Sequence, residues 1–201
     1  CSQPSYSQVS AGGEEFSAIA LPALPEKLDF AGEEVPLEYF DVREALQREL
    51  LVTSYMHSGT FRTLLNMKRY FSVIEPILER NGIPDDFKYL CMAESALNPE
   101  TVSPAGAAGL WQFMPKTGRE YGLAVGSQVD ERYDIEKSTE AACAYLRDAY
   151  ERFGSWTLAA AAYNAGNAGV SRRIEIQGTE NYYDTFLPQE TMRYLYRILS
   201  L

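Results

Sequence analysis

From Leu37 to Leu201 the apolar residues recur every three or four positions and nowhere alternate over a useful length. Such a chain must bury itself by packing helices on helices. The spacing predicts helices over 37–58, 61–81, 84–97, 115–121, 135–153, 156–165 and 188–201, a mainly α fold. Gly82, Gly154 and Gly166 stand where helices should stop. Pro84 and Asp85-Asp86 stand where one should begin, because the N–H that proline lacks has no partner in a first turn anyway and the dipole there favours acids. Before residue 37, Ser, Gln, Gly, Pro and acidic residues follow no period, so 1–36 reads as a tether or loosely packed arm. The expected organisation is that arm followed by one domain over 37–201. With 201 residues, 46% of them hydrophobic, there is material for one sizeable core.

The formal charge is −10, from 28 acidic against 18 basic residues, which disfavours nucleic acid or any other polyanion as a partner. No apolar run reaches the ~18 residues of a membrane span. One histidine, His57, and no Cys/His cluster at ligand spacing argue against a zinc site, a Ser-His-Asp triad or a Cys-His dyad, and no metal or cofactor is expected. Cys91 and Cys143 lie among apolar neighbours and read as buried free thiols, with a bridge between them left open by the spacing. Cys1, followed by the polar stretch Ser2-Gln3-Pro4-Ser5, reads either as the acylated cysteine of a lipoprotein or simply as the residue at which this chain begins.

The chemistry concentrates in three segments. In the helix beginning at Pro84, Phe87, Leu90, Cys91, Glu94 and Leu97 share one face, and Tyr89, Met92, Ala93 and Ala96 cover much of the other. Glu94 is thus carried into an apolar environment, where its ionised form is disfavoured and it can hold a proton at neutral pH. That is what a general acid at a glycosidic oxygen requires, although a buried glutamate can also be merely hydrogen-bonded structure. The stretch Ser103-Pro104-Ala105-Gly106-Ala107-Ala108-Gly109-Leu110-Trp111-Gln112-Phe113-Met114-Pro115 reads as a cleft wall or as a glycine-rich turn before a buried Trp-Phe pair. Ala159-Ala160-Ala161-Ala162-Tyr163-Asn164-Ala165-Gly166 is a helix without bulk until its end, where Tyr163 and Asn164 suit an amino sugar or cap the helix. Glu190 and Tyr194 share a face four residues apart, as a groove pair or a plain surface pair.

At these residues the chain resembles a known family. Glu94-Ser95, Ser103-Pro104-Ala105-Gly106-Ala107, Gly109-Leu110-Trp111-Gln112-Phe113-Met114-Pro115 and Ala162-Tyr163-Asn164-Ala165-Gly166 form the signature series of the soluble-lytic-transglycosylase (SLT) domain. Val129-Asp130-Glu131-Arg132 and Pro188-Gln189-Glu190-Thr191-Met192-Arg193-Tyr194 look most like the membrane-bound D type. The resemblance covers the chain from about Pro36 onward. It implies a lysozyme-like helical domain with a glycan-binding groove, Glu94 as the only catalytic acid/base, and Ser103, Gln112, Met114, Tyr163, Asn164, Glu190 and Tyr194 lining the groove or close beside it. The partners it implies are peptidoglycan glycan strands and, through a lipid on Cys1, the periplasmic face of the outer membrane, with the domain a monomer. The glycan-binding LysM repeats usual at the end of the D type are not among these residues, so affinity for sacculi is expected to rest on the groove and the anchor.

The implied reaction needs no second carboxylate. Glu94 protonates the oxygen between N-acetylmuramic acid and N-acetylglucosamine, the substrate's acetamido group stabilises the anomeric charge, and ionised Glu94 takes the proton of the C6 hydroxyl as a 1,6-anhydro ring closes. Two other readings remain. Asp130 or Glu131 activating water would make a lysozyme-like hydrolase, and a glycan-binding lipoprotein would do no chemistry at all.

Overall fold

Helix-forming segments this rich in alanine and leucine assemble by burying small and branched faces against one another. The computed structural model describes residues 23–55 and 57–201; Cys1, with the lipid proposed for it, lies outside them. Eight helices are described: α1 (Phe40–Tyr55), α2 (His57–Arg80), α3 (Phe87–Ser95), α4 (Pro115–Glu120), α5 (Ile135–Phe153), α6 (Trp156–Ala165), α7 (Asn167–Gln177) and α8 (Gln189–Leu199). A short antiparallel hairpin, β1 (Asp29–Phe30) with β2 (Glu33–Glu34), precedes them, and a 3₁₀ turn at Glu131–Tyr133 precedes α5. The fold is mainly α, as expected.

The centre is α6. Ala159, Ala160, Ala161 and Ala162 are fully buried, and α5, α7 and α8 all pack on this helix, which its lack of side-chain bulk permits. Tyr145 of α5 donates its hydroxyl to the carbonyl of Ala162 at 2.7 Å, and Trp111 donates its indole N–H to Thr139 Oγ1 at 2.8 Å. The second contact ties the loop before α4 to α5 by a buried donor that would otherwise be orphaned.

Local chemistry sets the ends of these helices. Asp134 and Ser155 cap α5 and α6 by accepting from Lys137 N and Leu158 N, while Gly154 takes the left-handed conformation between them. Two departures from expectation have tertiary causes. α7 falls where glycines predict a break, and it forms because Val170 is fully buried and Ile174 packs against the core. α3 begins at Phe87 rather than Pro84 and ends at Ser95, since Ala96 and Leu97 both turn left-handed, with φ of 50° and 56°.

The end of the expected arm is part of the core. Phe30 and Val35 are each 2% exposed, and Phe30 meets Phe87 edge to face. Burying one such phenyl contributes about 1.5–3 kcal/mol. The hairpin is also held through its acids and those it meets. Ala31 N donates to Asp86 Oδ2 at 2.8 Å, and Glu33 accepts from the amides of Trp156 and Thr157 and the hydroxyls of Ser155 and Thr157. A carboxylate from 120 residues earlier thus satisfies the free N–H groups and dipole at the start of α6.

Candidate active site

α3 presents the apolar face its spacing predicts. Phe87, Leu90, Cys91 and Leu97 are fully buried, and Glu94 sits in the same stripe, partly buried. Loss of solvent raises the Glu94 carboxyl above its ordinary value. Two groups on α8 oppose that: the Tyr194 hydroxyl, which donates a short hydrogen bond to Glu94 Oε1, and the positive charge of Arg197. A third, the charge of Glu190, adds to the rise. Glu190, Tyr194 and Arg197 follow one another at helical spacing, so a single face of α8 sets the electrostatics of one acid.

Tyr194 is itself 1% exposed, with the Arg197 guanidinium 5.2 Å from its ring centroid. Arg197 Nε is buried without a hydrogen-bond partner. Its stacking on the ring offsets part of that cost. Arg197 did not emerge from the sequence, although a cation three residues beyond Tyr194 on the same face was a usable signal.

Tyr163, at the end of α6, lies close enough for the Glu94 charge to help raise its phenol, whose main perturbation is burial. Its ring packs against Trp111, Phe113 and Tyr145, and its hydroxyl donates to the Trp111 carbonyl at 2.7 Å. Asn164 accepts from Thr191 Oγ1 at 2.9 Å, which joins the end of α6 to the first turn of α8 and engages the amide through its oxygen. Threonine 191 carries no sequence signal for that role.

The glycine-rich segment folds back on the end of α3. Val102, Ala108 and Phe113 pair as successive antiparallel bridges. Thr101 Oγ1 reaches the Ser95 carbonyl at 3.5 Å. Gln112, left-handed at φ 50°, donates its amide to the carbonyls of Thr101 and Gly109 at 3.0 and 2.8 Å. Its donors therefore shape the wall, and its amide oxygen accepts no hydrogen bond among the described residues. Ser103 Oγ accepts from Ala107 N at 3.0 Å, and Met114 is 41% exposed at the start of α4. Neither touches Glu94. Glu94, Tyr194, Tyr163 and Glu190 are thus brought together, Gln112 is linked to them through Thr101 and Ser95, and Ser103 and Met114 belong to the same glycine-rich segment without a hydrogen bond to Glu94. Positive φ at Ala96, Leu97 and Gln112 places backbone strain directly after the helix that carries the acid and again in the glycine-rich segment.

Arg132 clamps the wall from behind. Its Nη1 donates to the carbonyls of Gly106 and Phe113 at 2.7 and 2.9 Å, and its remaining N–H groups engage Asp130. Those bonds hold the Asp130 carboxyl below its usual range, and Lys137 does the same for Glu131. Both acids are committed to structure. Cys91 and Cys143 are free buried thiols, and among the described residues no group of three or more His, Cys, Asp or Glu side chains is placed to hold a metal.

Residues 72–186 match the transglycosylase SLT domain. The chain belongs to this family. It is 34% identical over 180 residues to the membrane-bound lytic murein transglycosylase D of Escherichia coli K12, covering 86% of this chain and 39% of that protein. It is 37% identical over 82 residues to the soluble lytic murein transglycosylase of the same strain, covering 38% of this chain and 13% of the relative. The chain thus spans about two fifths of the first relative's length. Among solved structures, an inactive mutant of the lytic transglycosylase Slt from Pseudomonas aeruginosa superposes with a TM-score of 0.58 at 22% identity, over 80% of this chain and 27% of that one. The E. coli 70 kDa soluble lytic transglycosylase gives 0.56 at 23%, over 79% and 28%. The fold is the lysozyme-like helical fold of these SLT proteins. α8, which supplies Tyr194 and Glu190, lies beyond the matched family segment and still completes the site.

Proposed function

We propose that this SLT domain is a peptidoglycan lytic transglycosylase that cleaves the β-1,4 bond between N-acetylmuramic acid and N-acetylglucosamine, with Glu94 serving first as acid and then as base. The observation that carries the reading is the Glu94 carboxyl on an apolar helix face, hydrogen-bonded by Tyr194 and next to Tyr163. Burial keeps the proton on for donation to the glycosidic oxygen. Tyr194 and Arg197 keep the ionised form accessible afterwards, so the same carboxylate can draw the proton from the C6 hydroxyl as a 1,6-anhydro product closes. Ring closure by a tethered hydroxyl proceeds at high effective concentration and needs no activated water. The names of the relatives, which print murein as their substrate, support the choice of glycan.

The commitment of Asp130 to Arg132 and of Glu131 to Lys137 weighs against a water-activating base there. Among the described residues, the further carboxylate whose charge reaches Glu94 is that of Glu190, and a lysozyme-like hydrolase would have to use it. Incubation with purified sacculi and weighing of the soluble products decides: anhydro ends are one water lighter than hydrolytic ends. A wild-type protein that binds sacculi without releasing soluble products, and binds them equally well as Glu94→Gln, would end both enzymatic readings in favour of a glycan-binding module.

The wider organisation belongs to the same proposal: an N-terminal arm carrying a lipid on Cys1, shorter than the 1–36 expected because the hairpin at 29–34 and Val35 pack into the core, then a monomeric catalytic domain, and residence at the periplasmic face of the outer membrane. Its supports are the polar segment after Cys1, the relative named membrane-bound, and the absence, among the described residues, of a helix long and apolar enough to cross a membrane. Mass spectrometry of the N-terminal peptide from the native membrane tests it.

A further inference from the structure

A hydrogen bond between side chains, from Thr191 Oγ1 to Asn164 Oδ1 at 2.9 Å, joins the end of α6 to the first turn of α8. Each of these segments has its own link to Glu94. Tyr163, which precedes Asn164, feels the Glu94 charge; Glu190, which precedes Thr191, acts on that charge; and Tyr194, three residues beyond Thr191, bonds the carboxyl group. Thr191 is built to hold still. It is 2% exposed, its branched side chain has few rotamers, and the buried Tyr182 hydroxyl meets the carbonyls of Thr191 and Met192 at 3.0 and 2.7 Å. A threonine in a helix can satisfy its hydroxyl on a carbonyl one turn earlier. This hydroxyl instead crosses to α6.

An amide side chain can turn over, exchanging oxygen and nitrogen between the same two places with little steric change. Turning Asn164 over would offer the buried Thr191 hydroxyl an N–H in place of an acceptor and strand its hydrogen, so the oxygen stays on α8. With the oxygen committed, what the amide presents elsewhere is a pair of donors. We propose that Thr191 is a positioning residue: its hydroxyl holds the Asn164 oxygen on α8 and turns the two N–H groups toward the site, where they take the acetamido carbonyl of an amino sugar. A sugar hydroxyl can give or take a hydrogen bond and would bind an amide in either orientation, whereas a fixed donor selects a carbonyl. The inference rests on the amino-sugar reading of the Glu94 site and deepens it, because it assigns a source to the preference for N-acetylated rings.

The test compares Thr191→Val, which keeps the shape and removes the hydroxyl, with Thr191→Ser, which keeps the hydroxyl and removes a methyl group. Both should melt below the wild type, the first for a stranded amide oxygen and the second for a small void, so stability does not separate them. KM for soluble glycan strands does. It should rise about fivefold in Thr191→Val, the equivalent of one neutral hydrogen bond, with kcat kept within about twofold, and should hold its wild-type value in Thr191→Ser. In an Asn164→Ala background, Thr191→Val should raise KM no further. In parallel, an N-acetylglucosamine tetramer is titrated into the Glu94→Gln protein and followed by NMR on the Asn164 side-chain NH₂ signals. These should shift to saturation, with Kd about fivefold higher once Thr191→Val is added, while a β-1,4-linked glucose tetramer should bind both proteins alike. An unchanged KM in the valine variant, an equal rise in the serine variant, a further rise in the Asn164→Ala background, or an Asn164 amide that the tetramer leaves unshifted overturns the positioning role. If the wild type cleaves no strand, the proposed activity fails, and the tetramer titration still decides whether Thr191 orients Asn164.

Discussion

Gly109→Ala tests how the wall of the site is built. Gly109 has φ +82°, and a Cβ there would lie 1.9 Å from the Arg132 carbonyl oxygen and 2.8 Å from its carbon. The left-handed conformation costs an alanine about 1–2 kcal/mol. Relief of the clash cannot come from a rotamer change, because the opposing atoms are backbone of a turn that Arg132 itself clamps to Gly106 and Phe113. Forced displacement of packed structure adds about 1–3 kcal/mol. The sum, roughly 2–5 kcal/mol, corresponds to a fall in melting temperature of about 4–20 °C for a chain of this size. Gly122 provides the control, since it has φ +87° and nothing within 4 Å of an added Cβ. Gly122→Ala should show the conformational cost alone, about 1–2 kcal/mol. Thermal unfolding followed by circular dichroism compares the two proteins, and clearing of sacculi should fall in the Gly109 variant only. Equal losses of stability would refute the claim that close backbone approach, rather than φ, dictates this glycine.

Three further outcomes follow from the electrostatics and strain around Glu94. Tyr194→Phe removes a hydrogen bond that favours the ionised carboxylate, so the Glu94 carboxyl should rise further and the basic limb of the kcat/KM profile should move to higher pH. Glu190→Gln removes a charge that opposes ionisation, so that limb should move to lower pH while turnover persists; abolished turnover would instead favour the hydrolase. Ala96→Gly relieves a left-handed alanine, φ 50°, directly after Ser95, and should add about 0.5–1 kcal/mol in denaturant unfolding, unless Ala96 packing contributes more than its exposure indicates.

Much of the fold was legible because local signals and packing agree. The ends of α5 and α6 match the spacing and caps to the residue, since Asp134, Gly154 and Ser155 act locally. The hairpin and α7 were not legible. Two-residue strands have no periodicity to read, and what holds them is Glu33 on a helix 120 residues away and Phe30 on Phe87. α7 depends on the burial of Val170, which outweighs the glycine at 169. In the site, the apolar stripe marked Glu94 as a buried acid, the family resemblance gave it a role, and the four-residue spacing put Glu190 and Tyr194 on one face. Their meeting with Glu94, a hundred residues away, is tertiary, as are the threonines that hold Asn164, Trp111 and the loop.

The most direct measurement of the central claim is cleavage of peptidoglycan in water enriched in heavy oxygen. With Glu94 as the sole acid and base and the C6 hydroxyl as nucleophile, the released ends should be anhydro sugars carrying no label, and Glu94→Gln should release none. Label at the reducing end of the products would mean that water attacks, and a single-carboxylate account of this site would be wrong.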